Sequence, residues 1–162
     1  MRVRPYEDSN GLTYLEIKRK DNKGKTHKKR TPVKSQTEVA ESGGDDFLFQ
    51  NAGIKLTNLH PCLQNHFKRI TLVNKGMTER LTIDFDIEYT NFETKNIANS
   101  GNLVVIELKR DGMVYSPIND VLTNLHIHTG GYSKYIVGSY MTNPNLKGNL
   151  IKPKFVKIKK FI

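Results

Sequence analysis

The sequence has a single cysteine and no long apolar run. Because Cys62 is the only cysteine among the 162 residues, an internal disulfide is impossible and a secreted disulfide scaffold is excluded. No stretch approaches the roughly 18 apolar residues of a membrane-spanning helix, and the first residues form no hydrophobic leader. Repeats, low-complexity tracts and linkers are also absent. We therefore expect a cytoplasmic protein with one domain over residues 1–162.

Positive charge is what the chain has in excess. It contains 26 Lys and Arg residues but 16 Asp and Glu residues, which gives a formal net charge of +10 and a pI near 9.7. This balance indicates an anionic partner and says little about the fold. The Lys-rich tail from Asn143 onward is typical of a solvated segment, and it also suits acidic lipid or polyphosphate.

Charged and apolar side chains alternate in several segments that are typical of β-strands. Alternation over residues 80–89 predicts two faces: Leu81, Ile83, Phe85, Ile87 and Tyr89 on one, and Arg80, Thr82, Asp84, Asp86 and Glu88 on the other. The same spacing places Glu16 beside Lys18 and Glu107 beside Lys109. Such charged faces are tolerated in water, or in a wet interior where cations and a polyanion neutralise one another.

Turn signals divide the chain into short strands followed by helices. We predict strands over 1–6, 13–20, 25–33, 66–74, 79–89 and 103–110, and helices over 117–125 and 132–141. Hairpin turns are expected at 21–24 and 74–77, a helix start at 35–41 is expected to end at Gly43 and Gly44, and 91–102 is expected to be a loop. The pattern predicts an antiparallel, β-rich α+β domain.

Six motifs occur in the order found in one protein family. They are Arg2-Val-Arg4, Tyr14 to Lys18 with the basic run Lys28-Lys29-Arg30, Phe67 to Thr71, Glu79 to Asp84, Val105 to Lys109 with Asp111-Gly112, and Gly131 to Tyr135. In this order the chain resembles the VTC domain, named for the vacuolar transporter chaperone complex that makes polyphosphate. That domain is one of the triphosphate tunnel metalloenzymes, also called CYTH-like proteins.

The resemblance implies both a fold and a chemistry. The fold is an α+β antiparallel β-tunnel with C-terminal helices, and the activity is a phosphotransferase reaction that adds the ATP γ-phosphate to polyphosphate with Mg²⁺ or Mn²⁺. Carried over residue by residue, it assigns phosphate binding to Arg2, Arg4, Lys18, Arg69, Arg80 and Lys134. It assigns catalytic roles to Lys18, Arg69 and Arg80, and metal binding to Glu107.

The family's domain begins with a further segment that contains a strand, whereas here Met1 directly precedes Arg2. We therefore expect a tunnel that is incomplete or completed by a partner chain. An unpaired sheet edge makes a homodimer plausible.

Several alternatives stay open at this point. A pI above 9 is typical of nucleic-acid-binding domains. Against that function, the carboxylates on the charged strands would repel phosphate, and aromatic residues do not interleave with the basic ones as they do in stacking platforms. A polyphosphate-binding module without catalysis and a triphosphatase are further alternatives. Single lysines on strands are usually solvated, and Glu107 suits a salt bridge as well as a metal.

Overall fold

The computed structural model describes residues 1–7, 10–112, 115–160 and 162. These residues form two compact units, Met1–His60 and Pro61–Ile162. Each unit has its own antiparallel sheet. Among the described residues, no helix combines the length and the hydrophobicity needed to cross a bilayer.

The first unit is a three-stranded sheet with one helix. The strands are β1 (Arg2–Pro5), β2 (Thr13–Lys20) and β3 (Thr26–Val33), in the spatial order β1-β2-β3. A tight turn joins β2 to β3, and in it the Asp21 Oδ1 atom accepts backbone N–H bonds from Lys23 and Lys25 at 3.0 and 2.8 Å. The chain then forms helix α1 (Gly44–Ala52) and a short 3₁₀ helix (Leu56–Asn58).

Helix α1 packs on the apolar face of the first sheet. Leu15, Ile17 and Val33 from the strands form one buried cluster with Val39 and with Leu48 of the helix. The Lys29 side chain lies on this same face of the sheet, since its ammonium donates to Oδ1 of Asn51 in α1 at 2.6 Å. The opposite face of the sheet is therefore the one that α1 leaves uncovered.

The predicted helix start at 35–41 is wrong. That segment consists of turns, in which the Ser35 hydroxyl accepts the backbone N–H of Glu38 at 3.1 Å. The helix instead begins at Gly44, where the chain passes so close to the backbone of Val39 that a Cβ atom would overlap it. Gly43 and Gly44, which were predicted to end a helix, therefore lie at the start of one.

The second unit is built around one long central strand. Its elements are β4 (Leu63–Val73), β5 (Glu79–Asn91), β6 (Ile97–Asn99), β7 (Val105–Arg110), α2 (Pro117–Asn124), α3 (Lys134–Thr142) and α4 (Lys152–Ile158). Strand β5 pairs antiparallel with β4, β6 and β7. The α+β class with C-terminal helices is confirmed. Within the described residues neither sheet closes on itself, in agreement with an incomplete tunnel.

Strict alternation along β5 is wrong at Asp86. This residue has a positive φ of 51°, and the pairing of β4 with β5 shifts register between His66 and Lys68. Asn65 pairs with Tyr89 and Arg69 pairs with Asp84. Because 65 and 69 share a face of β4, Tyr89 and Asp84 share a face of β5, although their positions in the chain differ by five, an odd number.

Helix α3 covers the part of that face beyond the bulge. Gly138 lies against Tyr89, and a Cβ atom there would overlap the tyrosine ring and lie 2.9 Å from Leu63 Cδ2. The Asn91 amide donates to the Thr142 hydroxyl at 3.1 Å. The face that was predicted to carry the charged residues of β5 is therefore ionic at one end and buried under a helix at the other.

Candidate functional site

The face of the first sheet opposite α1 carries a dense set of cations. Strand register places Arg2 opposite Glu16, Arg4 opposite Tyr14, and Lys18 opposite Lys28. Directly opposed residues point to the same side of a sheet, so these pairs and their alternate neighbours share one face. We call this surface the basic face; its cations are Arg2, Arg4, Lys18, Lys20, Lys28 and Arg30.

A buried carboxylate fixes two of these cations. Glu16 is 1% exposed, and its Oε2 atom accepts a charge-assisted hydrogen bond from Arg2 Nε at 2.5 Å. The Lys28 ammonium forms an ion pair with its Oε1 atom. Burial alone would raise the pKa of Glu16, but the contacts with Lys28 and Arg2 outweigh that effect and lower it to about 2. The carboxylate is therefore ionised at neutral pH and holds both cations on the face.

Aromatic rings hold two of the other cations of the basic face. The Arg30 guanidinium carbon lies 4.8 Å from the Tyr14 ring centroid, and that of Arg4 lies 5.8 Å from the Tyr6 centroid. Such cation–π contacts orient the guanidinium groups and keep N–H donors available to a ligand. Aromatic and basic side chains therefore do interleave here, contrary to the expectation from the sequence.

A second buried carboxylate organises the second unit. Asp84 is 1% exposed and accepts two hydrogen bonds from Arg69, Nε to Oδ1 at 2.5 Å and Nη2 to Oδ2 at 2.7 Å. Lys134, the first residue of α3, forms an ion pair with the same Oδ2 atom. Burial would raise the pKa of Asp84, but the hydrogen bonds from Arg69 and Lys134 outweigh it and lower the value.

The ring of Phe67 lies beneath both cations of this cluster. Arg69 Cζ is 5.2 Å from the ring centroid, and Lys134 Nζ is 4.4 Å from it. Each cation thus has a carboxylate contact and an aromatic contact. We call Phe67, Arg69, Asp84 and Lys134 the Asp84 cluster. Two independent contacts per cation restrict the rotamers of both side chains before any ligand binds.

A pair of tyrosines lies at the border of the Asp84 cluster. The hydroxyls of Tyr89 and Tyr132 are 2.6 Å apart. Burial raises the pKa of Tyr89 far above its usual range, and the bond to Tyr132 adds to the increase. Burial also raises the pKa of Tyr132; the bond to Tyr89 opposes this increase, and the charge of Asp84 adds to it. Both hydroxyls are neutral hydrogen-bonding groups at physiological pH.

The remaining predicted residues of this unit lie on the same sheet face as Asp84. Register places Arg80 opposite Lys109, and Thr82 opposite Glu107. Arg80, Thr82 and Asp84 alternate without interruption ahead of the bulge, so their partners share their face. The structure therefore places Arg69, Arg80, Lys134 and Glu107 on one face of the second sheet. It places Arg2, Arg4 and Lys18 together on the basic face of the first unit. The expectation that the two sets line one tunnel remains a prediction.

Glu107 is exposed and forms an ion pair with Lys109, with 3.2 Å between Oε1 and Nζ. This is the salt-bridge alternative that the sequence left open. Among the described residues, no group of three or more His, Cys, Asp or Glu side chains is suited to hold a metal ion. Magnesium commonly binds through one or two carboxylates and takes its other ligands from water and substrate phosphates. A single accessible carboxylate, such as that of Glu107, is compatible with that mode of metal binding.

Sequence reasoning missed the residues that organise the cations. The positions of Lys28 and Arg30 could have been predicted from the hairpin, because a turn at 21–24 places them opposite Lys18 and Glu16. No sequence signal indicated the roles of Asp84 and Phe67. Lys134 contacts both from a helix that begins 50 residues after Asp84 in the chain.

The family model of the VTC domain matches residues 1–143, which is most of the chain. The chain belongs to the VTC domain family. Comparisons with curated proteins and with solved structures found no match. The match includes both buried carboxylates and every predicted site residue, and residues 144–162 lie outside it. Membership of this family indicates a function related to polyphosphate.

Proposed function

We propose that this VTC domain binds ATP, triphosphate and polyphosphate through its clustered cations and transfers the ATP γ-phosphate to a polyphosphate chain. The observation that carries the proposal is the Asp84 cluster, in which a carboxylate and an aromatic ring hold an arginine and a lysine on the charged end of a sheet face. Family membership supplies the class of ligand. The basic face of the first unit supplies further cations of the same kind.

Phosphoryl transfer suits such residues because it needs little covalent chemistry from a protein. Its requirements are to hold the phosphate oxygens, to spread the developing charge and to align the attacking and leaving groups. In this proposal Arg69 and Arg80 bind phosphoryl oxygens through their forked N–H donors. Lys18, Lys134, Arg2 and Arg4 contribute charge and orientation. No serine, cysteine or histidine nucleophile is required.

We assign the metal-binding role to Glu107. A bound Mg²⁺ or Mn²⁺ would neutralise charge on the phosphates and polarise them. The Glu107→Gln substitution keeps the shape of the side chain and removes its charge. We expect it to abolish metal-dependent turnover while tripolyphosphate binding without metal is retained. Wild-type turnover in this variant would remove the metal role from Glu107.

The direct test is incubation of the purified protein with ATP and a manganese salt, with and without added polyphosphate. We expect ATP consumption with growth of polyphosphate, and loss of both in Arg69→Ala. Release of orthophosphate from tripolyphosphate without chain growth would identify a triphosphatase. Tight binding with no turnover under any metal would identify a binding module, and preference for nucleic acid over polyphosphate would contradict the proposal.

A cytoplasmic location and a homodimer formed through an open sheet edge complete the proposal. Sedimentation measures the second point. A concentration-independent monomer would contradict the dimer and leave the ligand assignment intact.

A further inference from the structure

The C-terminal segment carries a row of lysines that the proposed function does not use. Residues 144–162 contain six lysines and no acidic residue, and they lie outside the family match. Helix α4 forms part of this segment, and Lys152, Lys154 and Lys157 in it are exposed. An uncompensated run of this kind requires water or an external polyanion as its counterpart.

This segment is packed against helix α3. The ring of Phe155 meets that of Tyr140 edge to face, with 4.8 Å between the centroids. Gly148 lies so close to the Tyr140 ring that a Cβ atom would overlap it. The backbone N–H of Lys152 donates to the Gly148 carbonyl at 2.8 Å, which begins the first turn of α4. The helix that carries the lysines is therefore packed against α3.

Lys154 connects this segment to the Asp84 cluster. A Cβ atom placed on Gly131 would lie 3.2 Å from Lys154 Nζ, so the ammonium group rests against the loop that leads into α3. Tyr132, the next residue, hydrogen-bonds Tyr89, and Lys134 contacts Asp84. Three residues of extended chain span at most about 11 Å. The Lys154 ammonium therefore lies against the loop that enters α3, within three residues of Lys134 along the chain.

Lys157 is the surface neighbour of Lys154 on α4. Residues three apart on a helix are surface neighbours, so Lys154 and Lys157 lie side by side along α4. Lys154 and Lys157 thus form a pair of exposed lysines on α4, and Lys154 lies against the loop that leads to Lys134 of the Asp84 cluster. A ligand as short as triphosphate would not need this pair, whereas a linear polyanion would.

The geometry points to a second polyphosphate subsite, formed by Lys154 and Lys157, that contacts the chain beyond the phosphates held at the Asp84 cluster. This inference rests on the proposed function, and it assigns a preference for long polyphosphate over triphosphate to the C-terminal segment. The contacts are ion pairs with exposed ammonium groups, so their effect falls as salt rises.

The test compares the affinities of tripolyphosphate and long-chain polyphosphate for four forms of the full chain. These are the wild type, Lys154→Gln/Lys157→Gln, Lys154→Arg/Lys157→Arg, and the control Lys75→Gln/Lys95→Gln, which changes two exposed turn lysines elsewhere in the second unit. We expect the first Gln pair to weaken long-chain binding about tenfold, as two exposed ion pairs allow. Tripolyphosphate binding should change less than about twofold, and the Arg pair should retain the wild-type preference.

Four results would overturn the subsite. Equal long-chain binding by the wild type and the first Gln pair would show that α4 makes no contact. An equal loss in the control pair would show diffuse electrostatics, and an equal loss of tripolyphosphate would place both lysines in the primary site. If the first Gln pair loses binding only to phosphatidylglycerol vesicles, the segment faces a membrane surface instead. Failure of the wild type to bind either phosphate would contradict the proposed function itself.

Discussion

The two sheets stabilise a buried carboxylate in different surroundings. Each buries one carboxylate, Glu16 or Asp84, and each carboxylate holds an arginine and a lysine. Around Glu16 both cations come from neighbouring strands, and their side chains are 42% and 39% exposed. Around Asp84 the lysine comes from a helix, Phe67 lies beneath both cations, and the exposures fall to 29% and 18%.

This difference indicates which cluster depends more on its carboxylate. Water can replace part of the lost interaction for a cation that is about 40% exposed. It can do so less for Lys134, which the first turn of α3 places against Asp84 and the Phe67 ring. An ion pair that is partly desolvated costs more to break than an exposed one, because the remaining charge is left without a partner.

The largest effect is expected from Asp84→Asn. It leaves Arg69 and Lys134 without their counter-charge, and we expect the free energy of unfolding to fall by about 3 kcal/mol. Urea denaturation measures this change. Asp86→Asn is the control, because Asp86 is exposed and pairs with exposed Lys68 at 2.9 Å; its effect should stay below about 1 kcal/mol. Equal losses in the two variants would refute the special role of Asp84.

A smaller effect is expected from Glu16→Gln. The amide keeps the shape and part of the hydrogen bonding, and the exposed cations regain water, so we expect a loss of about 1–2 kcal/mol. The same denaturation experiment applies. A loss greater than that of Asp84→Asn would reverse the ranking of the two clusters.

The pH dependence of stability tests the contribution of the Glu16 carboxylate. The pKa of Glu16 is lowered from 4.5 to about 2 in the folded chain, so the folded state binds the proton less readily than the unfolded state. Its contribution is therefore complete above about pH 4.5 and is lost as the pH falls toward 2. Thermal unfolding at a series of pH values should show this loss in the wild type and a shallower decline in Glu16→Gln. Identical slopes in the two proteins would contradict the lowered pKa.

Sequence patterns predicted the regular part of both sheets well. The bounds of β2 match the predicted strand, and the turns at 21–24 and 74–77 fixed the register of two hairpins. The register in turn placed Lys18, Arg69 and Arg80 on charged faces, as alternation predicts. Local signals suffice where a strand is uninterrupted and its partner is the next segment.

The features that organise the Asp84 cluster could not be predicted in this way. A rule of period two assumes an uninterrupted strand, and Asp86 has no glycine or proline to announce its positive φ. Lys134 reaches Asp84 through tertiary packing of α3, which depends on the close approach of Gly138 to Tyr89. Helix α4 was missed because its lysines read as a solvated tail, while Phe155 and Tyr140 give it a packing partner.

The central claim is that organised cations, and not overall charge, bind the phosphate ligand. Calorimetric titration of tripolyphosphate into Arg69→Ala and Lys68→Ala tests it most directly, since adjacent residues of β4 lose the same charge on opposite faces of one sheet. We predict that Arg69→Ala weakens binding at least about tenfold, the loss of a charge-assisted bidentate contact, while Lys68→Ala changes it less than about twofold. Equal weakening in the two variants would contradict the account.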